Sequence, residues 1–380
     1  MAETLALPRE EQIWVVKETT SGTLAEPVAA DMVLPIDPVV MKQLPEQVED
    51  KQTRNSRSRF SMIQGRTLPG EWQIKAYLKP SGSLGVAGEL DTLLTCSMGV
   101  ETVNASTSVV YTFSTATQLP TFSLWRKLGH HMYAARGCIV NKVKFEVSGK
   151  DVGMATFSGQ FMEMTQFSED TVGVGGITNV ATTLPVTNGD RFYVPTGTTV
   201  PYFIQIESEI LKVTGRSGNN LTVVRAQKAS SAAAHSAAVA ITAWTPGAAE
   251  SGLPVHGKFG AVTVDAVTTI LLDVSIDLET GGKVYTDEKN GSLVGNSTGT
   301  PGKRKVTIST SKYLRVGDNK DFEDALLRTN FAFVANLGDT AGRIIRFTSP
   351  TAQKAPPDLS GGDEVTSAQL WNAIAAAGAG

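Results

Sequence analysis

One supersecondary pattern is written twice in this 380-residue chain, and it constrains the fold more than any other feature. Pro69-Gly70 opens a strand-like run over 71–79. A Gly/Ser-rich link leads to an acid-led apolar run, Glu89-Leu90-Asp91-Thr92-Leu93-Leu94, and then to a strand over 108–114. Far downstream, Pro301-Gly302 opens a second strand over 303–314. Another link leads to Asp321-Phe322-Glu323-Asp324-Ala325-Leu326-Leu327 and to strands over 331–334 and 343–348. Two β–α–β blocks with matching punctuation, and no catalytic constellation beside them, point to a protein that builds something.

The chain is long enough for two or three domains with sizeable cores. The 36 glycines, with abundant Thr, Val and Ser, tilt it toward β structure with frequent turns. The fold class expected is mainly β, with short helices in the two repeated blocks and a small inserted all-β module. A formal net charge of −3 gives no broad electrostatic footprint for nucleic acid. No run approaches the ~20 apolar residues of a membrane-spanning helix. Residues 1–11 carry acids and no apolar segment, so they do not read as a secretory signal, and synthesis and assembly in cytoplasm are expected. Cys96 and Cys138 are too few for a disulfide framework and read as buried thiols.

The chain divides by texture into five stretches. Residues 1–67 read as an N-terminal arm and extended loop, with a strand over 12–18 and Pro35, Pro38 and Pro45 forbidding a long helix. Within it, 49–59 is charge-dense and carries Arg54, Arg57 and Arg59. That stretch suits either a solvated loop or one that orders against a neighbouring subunit; nucleic-acid contact is disfavoured because no aromatics interleave with the arginines. Residues 68–168 form a first β unit. Its clearest strand, 139–147, sets Ile139, Val143, Phe145 and Val147 on one face and Lys142, Lys144 and Glu146 on the other, with Asn141 as the exception. A long returning strand is expected over 152–164, with Gly153 and Gly159 marking close backbone approach.

Residues 169–250 have linker-like ends and short internal strands, and read as the inserted β module. Residues 251–350 form a second β unit. There the run 268–279 alternates, with Ile270, Leu272, Val274, Ile276 and Leu278 on one side and Asp273, Ser275, Asp277 and Glu279 on the other. Carboxylates at period two on one strand sit side by side instead of flanking a cleft, which weakens a catalytic reading. A divalent-cation site, a solvated face, or an acidic wall along which a polyanion slides remain as alternatives. Residues 351–380 form a tail, with a short amphipathic helix expected over 366–377 carrying Leu370, Trp371 and Ile374.

Searches for chemistry return nothing. There is no phosphate-binding Gly-x-x-x-x-Gly-Lys-Ser/Thr loop, and no Gly-x-Ser-x-Gly elbow between a strand-like and a helix-like run: the letters Gly295-Asn296-Ser297-Thr298-Gly299 fall in a polar Gly/Asn loop. His130-His131 are adjacent, so on a strand they point to opposite faces, and His235 has no ligand partner at metal spacing. No cofactor, metal or catalytic residue is assigned, and the chain reads as a non-enzyme.

Several short motifs then carry a resemblance. Glu18-Thr19-Thr20-Ser21-Gly22-Thr23 resembles the Glu-Thr-Thr-x-Gly-Thr opening of phage tail tube proteins. Arg66-Thr67-Leu68-Pro69-Gly70 before a strand, then the helix at 89–94, is similar to their first half. Gly137-Cys138-Ile139-Val140-Asn141 is similar to the family's Gly-Cys-x-Val-Asn motif. The second half matches in plan through 268–279, Gly302-Lys303-Arg304-Lys305-Val306 and the second helix. The insert departs from the shortest members, and its 206–214 run looks like the small β modules found in phage virion proteins.

The resemblance implies a structural virion protein, built of β-barrel or sandwich units with short flanking helices, that self-assembles into stacked rings, forming the tail tube through which double-stranded genomic DNA passes without sequence-specific binding. It implies tail terminator, tape measure and tail tip proteins as further partners, no membrane, and a place in the virion tail. If both β–α–β blocks are tube units, three chains per pseudo-hexameric ring are favoured, with six as the alternative. Lumen-lining candidates are Asp273, Ser275, Asp277 and Glu279, with Lys142, Lys144 and Glu146 as a competing face. Inter-subunit or ring-stacking candidates are Trp14, Arg54, Arg57, Arg59 and Trp371. The insert is expected on the outer surface; if it is external decoration, removing 171–250 leaves tube formation intact. The competing function is a carbohydrate- or surface-binding decoration or adhesin module, with Trp244, Tyr193 and Tyr202 stacking on sugars.

Overall fold

The computed structural model describes residues 10–49, 62–193, 202–247, 252–286, 297–300, 302–315, 320–361 and 364–374. The chain opens with β1 (Glu11–Lys17), β2 (Met32–Val33) and β3 (Val40–Lys42), then a hairpin of β4 (Pro45–Glu49) and β5 (Met62–Thr67). β6 (Gly70–Tyr77) leads to α1 (Asp91–Met98), the hairpin of β7 (Gly99–Asn104) and β8 (Ser108–Phe113), and then β9 (Phe122–Leu128). The 18-residue β10 (His131–Ser148) turns back into β11 (Met154–Phe161) and β12 (Glu163–Ser168).

Six strands follow in a sheet of their own: β13 (Asp170–Thr171), β14 (Thr183–Pro185), β15 (Tyr202–Ile206), β16 (Glu209–Ser217), β17 (Asn220–Val224) and β18 (Ala240–Ala243). The chain resumes with β19 (Ala261–Val264), β20 (Val267–Thr269), β21 (Asp273–Glu279), β22 (Lys283–Tyr285) and β23 (Ser297–Gly299). β24 (Lys305–Tyr313) leads to α2 (Asp321–Leu327), the hairpin of β25 (Asn330–Leu337) and β26 (Ile345–Lys354), and a last hairpin of β27 (Asp358–Gly361) and β28 (Val365–Ala373).

Both helices are short and locally signalled. Asp91 stands in the first turn of α1, where a carboxylate complements the helix dipole, and Gly99 at φ 99° ends it in the left-handed conformation. Asp321, Glu323 and Asp324 do the same for α2, which stops at Arg328. The strands stack in layers. The broad sheet runs β3-β6-β11-β10-β21-β24-β28-β27, built from antiparallel pairs throughout, and the far end of β28 also pairs with β26, through which β25, β19 and β20 continue the same sheet. Its apolar side carries Trp72, Ile74, Val143, Phe145, Phe157, Ile276, Ile308 and Trp371 in one buried cluster. That cluster is covered by α1, by Ile13, Val15, Phe122 and Leu124 of a second layer, and by Phe333 and Ala335 of β25.

The second layer holds β2, β1, β9, the first half of β10, and β12. It is apolar on both sides. Ile13 and Val15 point into the first cluster, whereas Trp14, between them, points into another with Trp125, Met132 and Phe167. The 170–243 sheet closes over that far side, and its Tyr202, Ile204, Leu211, Val213 and Ile241 belong to the same cluster. Phe167 and Tyr202 stack across the boundary with ring centroids 4.0 Å apart.

Several expectations change. Residues 11–17 are no arm: β1 pairs with β9 from Glu11↔Leu128 to Lys17↔Phe122 and is buried on both faces. The returning strand breaks at Met162, so β11 pairs with the second half of β10 and β12 with the first. The alternation over 268–279 is split between the end of β20 at Thr269 and β21 from Asp273, and Ile270, between them, lies 64% exposed. The expected helix over 366–377 is instead β28, whose Ser367, Gln369 and Trp371 are buried while Ala368, Leu370 and Asn372 are exposed. Partners on both sides, β24 and then β26 or β27, override whatever helical preference its alanines carry.

Candidate functional site

The side of the broad sheet away from the core is polar, and it brings together the two sets of charged positions that the sequence presents as competitors. Registration of β10 against β21 sets Lys142 opposite Glu279, Lys144 opposite Asp277, Glu146 opposite Ser275 and Ser148 opposite Asp273. All are exposed or half-buried on the same face, because Val143, Phe145, Val274, Ile276 and Leu278 take the alternate positions inward. The acidic strand and the lysine strand are therefore neighbours in one surface.

Its charges pair internally. Lys142 Nζ lies 3.5 Å from Asp277 Oδ1, Lys144 Nζ lies 2.5 Å from Glu146 Oε1, and at the sheet's edge Lys42 Nζ lies 2.9 Å from Glu71 Oε2. The hydrogen bond to Glu146 holds the Lys144 ammonium above its ordinary pKa. Ser311 Oγ donates to Asp273 Oδ2 at 3.1 Å. The flanking strands continue the face with short hydroxyl side chains, Thr156 and Ser158 on β11 and Thr307, Ser309 and Ser311 on β24. Sequence reasoning missed this ladder; its signal was the period-two hydroxyls in Lys305-Val306-Thr307-Ile308-Ser309-Thr310-Ser311. Such a surface presents many weak polar contacts and little net charge. Among the described residues no group of three or more His, Cys, Asp or Glu is placed to hold a metal ion.

The inter-subunit candidates fare differently. Trp14 is 1% exposed in the second cluster, and Trp371 is 5% exposed in the first. Trp371 Nε1 donates to Thr310 Oγ1 at 3.1 Å, and its ring meets those of Phe331 and Phe333. Both tryptophans are spent inside the chain and offer no surface to another subunit, because the strands carrying them are covered on the side toward which each ring points. Arg54, Arg57 and Arg59 lie outside the described residues. The aromatic set weighed for sugar stacking does not assemble: Tyr202 is fully buried, while Tyr193 is half exposed elsewhere and Trp244 packs edge-on against Phe203 beneath the Lys228 ammonium.

The short motifs meet in space. The buried Glu18 carboxylate accepts hydrogen bonds from Gly22 N at 2.7 Å, Thr121 Oγ1 at 2.6 Å, Ser123 Oγ at 2.8 Å and Gly137 N at 2.8 Å. Glu18 and Gly22 come from the first motif and Gly137 from the one more than a hundred residues later. Gly137 has φ 63°, a conformation that glycine adopts without a Cβ penalty. Gly70, of the Pro-Gly motif, is equally constrained, since a Cβ there would fall 2.0 Å from the Phe161 ring.

No helix among the described residues is long and apolar enough to cross a membrane. No curated protein matches the chain significantly. A family model described as phage tail tube protein matches residues 9–373, spanning both β–α–β blocks, the insert and the motifs that Glu18 joins. The chain is a mainly β structural component of the virion tail, and it belongs to the phage tail tube protein family.

Proposed function

We propose that three copies of this chain close into a ring, that rings stack into the tail tube, and that the polar face of the broad sheet lines the channel through which double-stranded DNA leaves the capsid. The observation that carries the stoichiometry is the strand order. The broad face divides into β3-β6-β11-β10 and β21-β24-β28-β27. In each group the second strand follows a Pro-Gly and leads into an acid-led helix. In each, the fourth and third strands are a hairpin, β10–β11 and β27–β28. One chain thus supplies two four-strand units side by side, where a single-unit subunit would supply one.

The polar face supports the lumen reading because its ion pairs and hydroxyls give a polyanion no concentrated positive charge to grip. The insert lies two layers away from that face, which suits the tube's outer surface. The role is structural and non-enzymatic, with tail terminator, tape measure and tail tip proteins as partners and assembly in the host cytoplasm. Native mass spectrometry of ring intermediates, or a cryo-EM cross-section of the tube, reads the number directly. Three chains per ring is the expected result, and six would overturn the two-unit reading.

A further inference from the structure

We propose that Lys354 and Asp321 condense into an amide, a covalent tie that the chain forms within itself between β26 and α2. The tie does not depend on the ring reading above. Lys354 closes β26, and Asp321 and Asp324 stand three residues apart on one side of α2. Lys354 Nζ donates to Asp321 Oδ1 at 2.9 Å and to Asp324 Oδ2 at 2.8 Å. Lys312 of β24 reaches the other oxygen, with its Nζ 2.7 Å from Asp321 Oδ2. The side chain of Lys354 is 9% exposed and that of Asp321 is 13% exposed, so the pair is shielded from bulk water. The rings of Phe331 and Trp371 flank the amine, with centroids 4.3 and 5.3 Å from Nζ.

Each of these groups has a part in the step. An ammonium and a carboxylate together contain every atom of an amide and a water. The bond from Lys354 Nζ to Asp321 Cγ forms, and the bond from Cγ to Oδ1 breaks. Oδ1 leaves as water, carrying two of the three ammonium protons. Asp324 touches the same nitrogen, so it can take the first proton, which frees the lone pair for attack, and return it to the departing oxygen. The second proton follows from the nitrogen once the new bond has made it acidic. Lys312 stands at Oδ2, where negative charge gathers as nitrogen adds to the carbon. Burial raises the Asp321 carboxyl, but the hydrogen bonds from Lys312 and Lys354 outweigh that and hold it below its ordinary value. The pair therefore rests ionised, and the tie forms slowly, after folding.

Other buried ion pairs among the described residues lack one of these parts. Lys79 Nζ lies 3.1 Å from Glu89 Oε2, with no second carboxylate to carry a proton and no second lysine. Glu11, Glu163 and Glu209 pair with arginines, whose guanidinium keeps its protons and does not attack. The second helix also has a use for a tie that the first does not. α1 is anchored by the fully buried Leu93 and Cys96, whereas Ala325 is the one buried residue of α2, and Phe322, Leu326 and Leu327 are exposed. Seven residues do not hold a helix by themselves in water, so the place of α2 rests on its charged side.

The test is the intact mass of the purified full-length chain, fresh and after prolonged storage, followed by tryptic peptide mapping. The expected result is the loss of one water, a branched peptide joining 321–328 to 347–380, and no cleavage after Lys354 in that species. Complete cleavage after Lys354 with no water lost overturns the tie, and so does a loss of water that maps to any other position. Lys354→Arg keeps a cation beside both aspartates and is expected to abolish the branched peptide; a water loss that persists in this variant overturns the tie as well. Asp324→Asn is expected to slow the appearance of the branched peptide by about a hundredfold, the low end of what a placed proton carrier contributes. Formation at the wild-type rate in Asp324→Asn overturns the part assigned to Asp324.

Discussion

Glu18 is a carboxylate with almost no access to water and four hydrogen-bond donors around it, two backbone and two hydroxyl. Glu18→Ala leaves those donors without a partner in a closed space. A cost of about 3 kcal/mol is expected, since each stranded donor keeps its desolvation penalty. The measurement is the urea midpoint of the monomer, and an unchanged midpoint would show that the four contacts carry no stability. A different carboxylate governs the insert. Burial alone would raise the carboxyl of Glu209. The Arg225 guanidinium, Ala233 N, His235 and Ala226 N outweigh that effect and hold it down at about 2. Its folded value is below its unfolded value, so its contribution to stability is complete above the ordinary glutamate range of about 4.3 and is lost as pH falls toward 2. Hydrogen exchange in β16 and β17 should therefore accelerate by more than about tenfold as pH falls from 5 to 2.5, beyond the intrinsic pH effect, and Glu209→Gln should flatten that response.

At the scale of elements, local signals were legible and partners were not. Pro-Gly punctuation and acid-led apolar runs announce β6, α1, β24 and α2, because those signals act within a few residues. Asn141 shows the limit in miniature. It interrupts the alternation of β10 for a reason visible only with β11 in place, a register shift between Val140 and Lys142. β1 shows it again: Ile13-Trp14-Val15 is an apolar run, and only the layers on both sides explain why a strand near the start of the chain needs one. The packing of the insert was not legible either. Its linker-like ends suggested a detachable decoration, yet its core is continuous with Trp14, Trp125, Met132 and Phe167 of the second layer. Replacing 170–247 by a short Gly/Ser link should uncover those four side chains, each worth about 1.5–3 kcal/mol of burial. The truncated chain is expected to aggregate, or to unfold at a much lower urea concentration, before it can form tubes. Wild-type stability in that truncation would mean that the shared cluster contributes nothing to the body.

For the whole molecule, the lumen proposed above raises the question of how a protein wall would let a polyanion move. The merging of β10 and β21 into one surface changes the answer that either strand suggests alone. Lys142, Lys144 and Lys305 stand among Glu146, Asp273, Asp277 and Glu279, which leaves one net negative charge in a patch whose neighbours are hydroxyls. The carboxylates there cap the lysines as much as they repel phosphate: without Asp277, Lys142 has no partner in this pair. Asp273→Lys with Asp277→Lys turns the patch from one net negative charge to three positive and frees Lys142 from Asp277. Because these positions are solvent-facing and their apolar neighbours are untouched, tubes should still assemble. DNA ejection should slow at least tenfold at 10 mM salt, where the screening length is about 30 Å, and recover substantially toward 0.5 M as phosphate contacts are screened. The salt dependence separates grip from damage, since a deformed channel would stay slow at every ionic strength. Ejection at the wild-type rate in low salt, from virions carrying the double substitution, would move the channel to another face of the molecule.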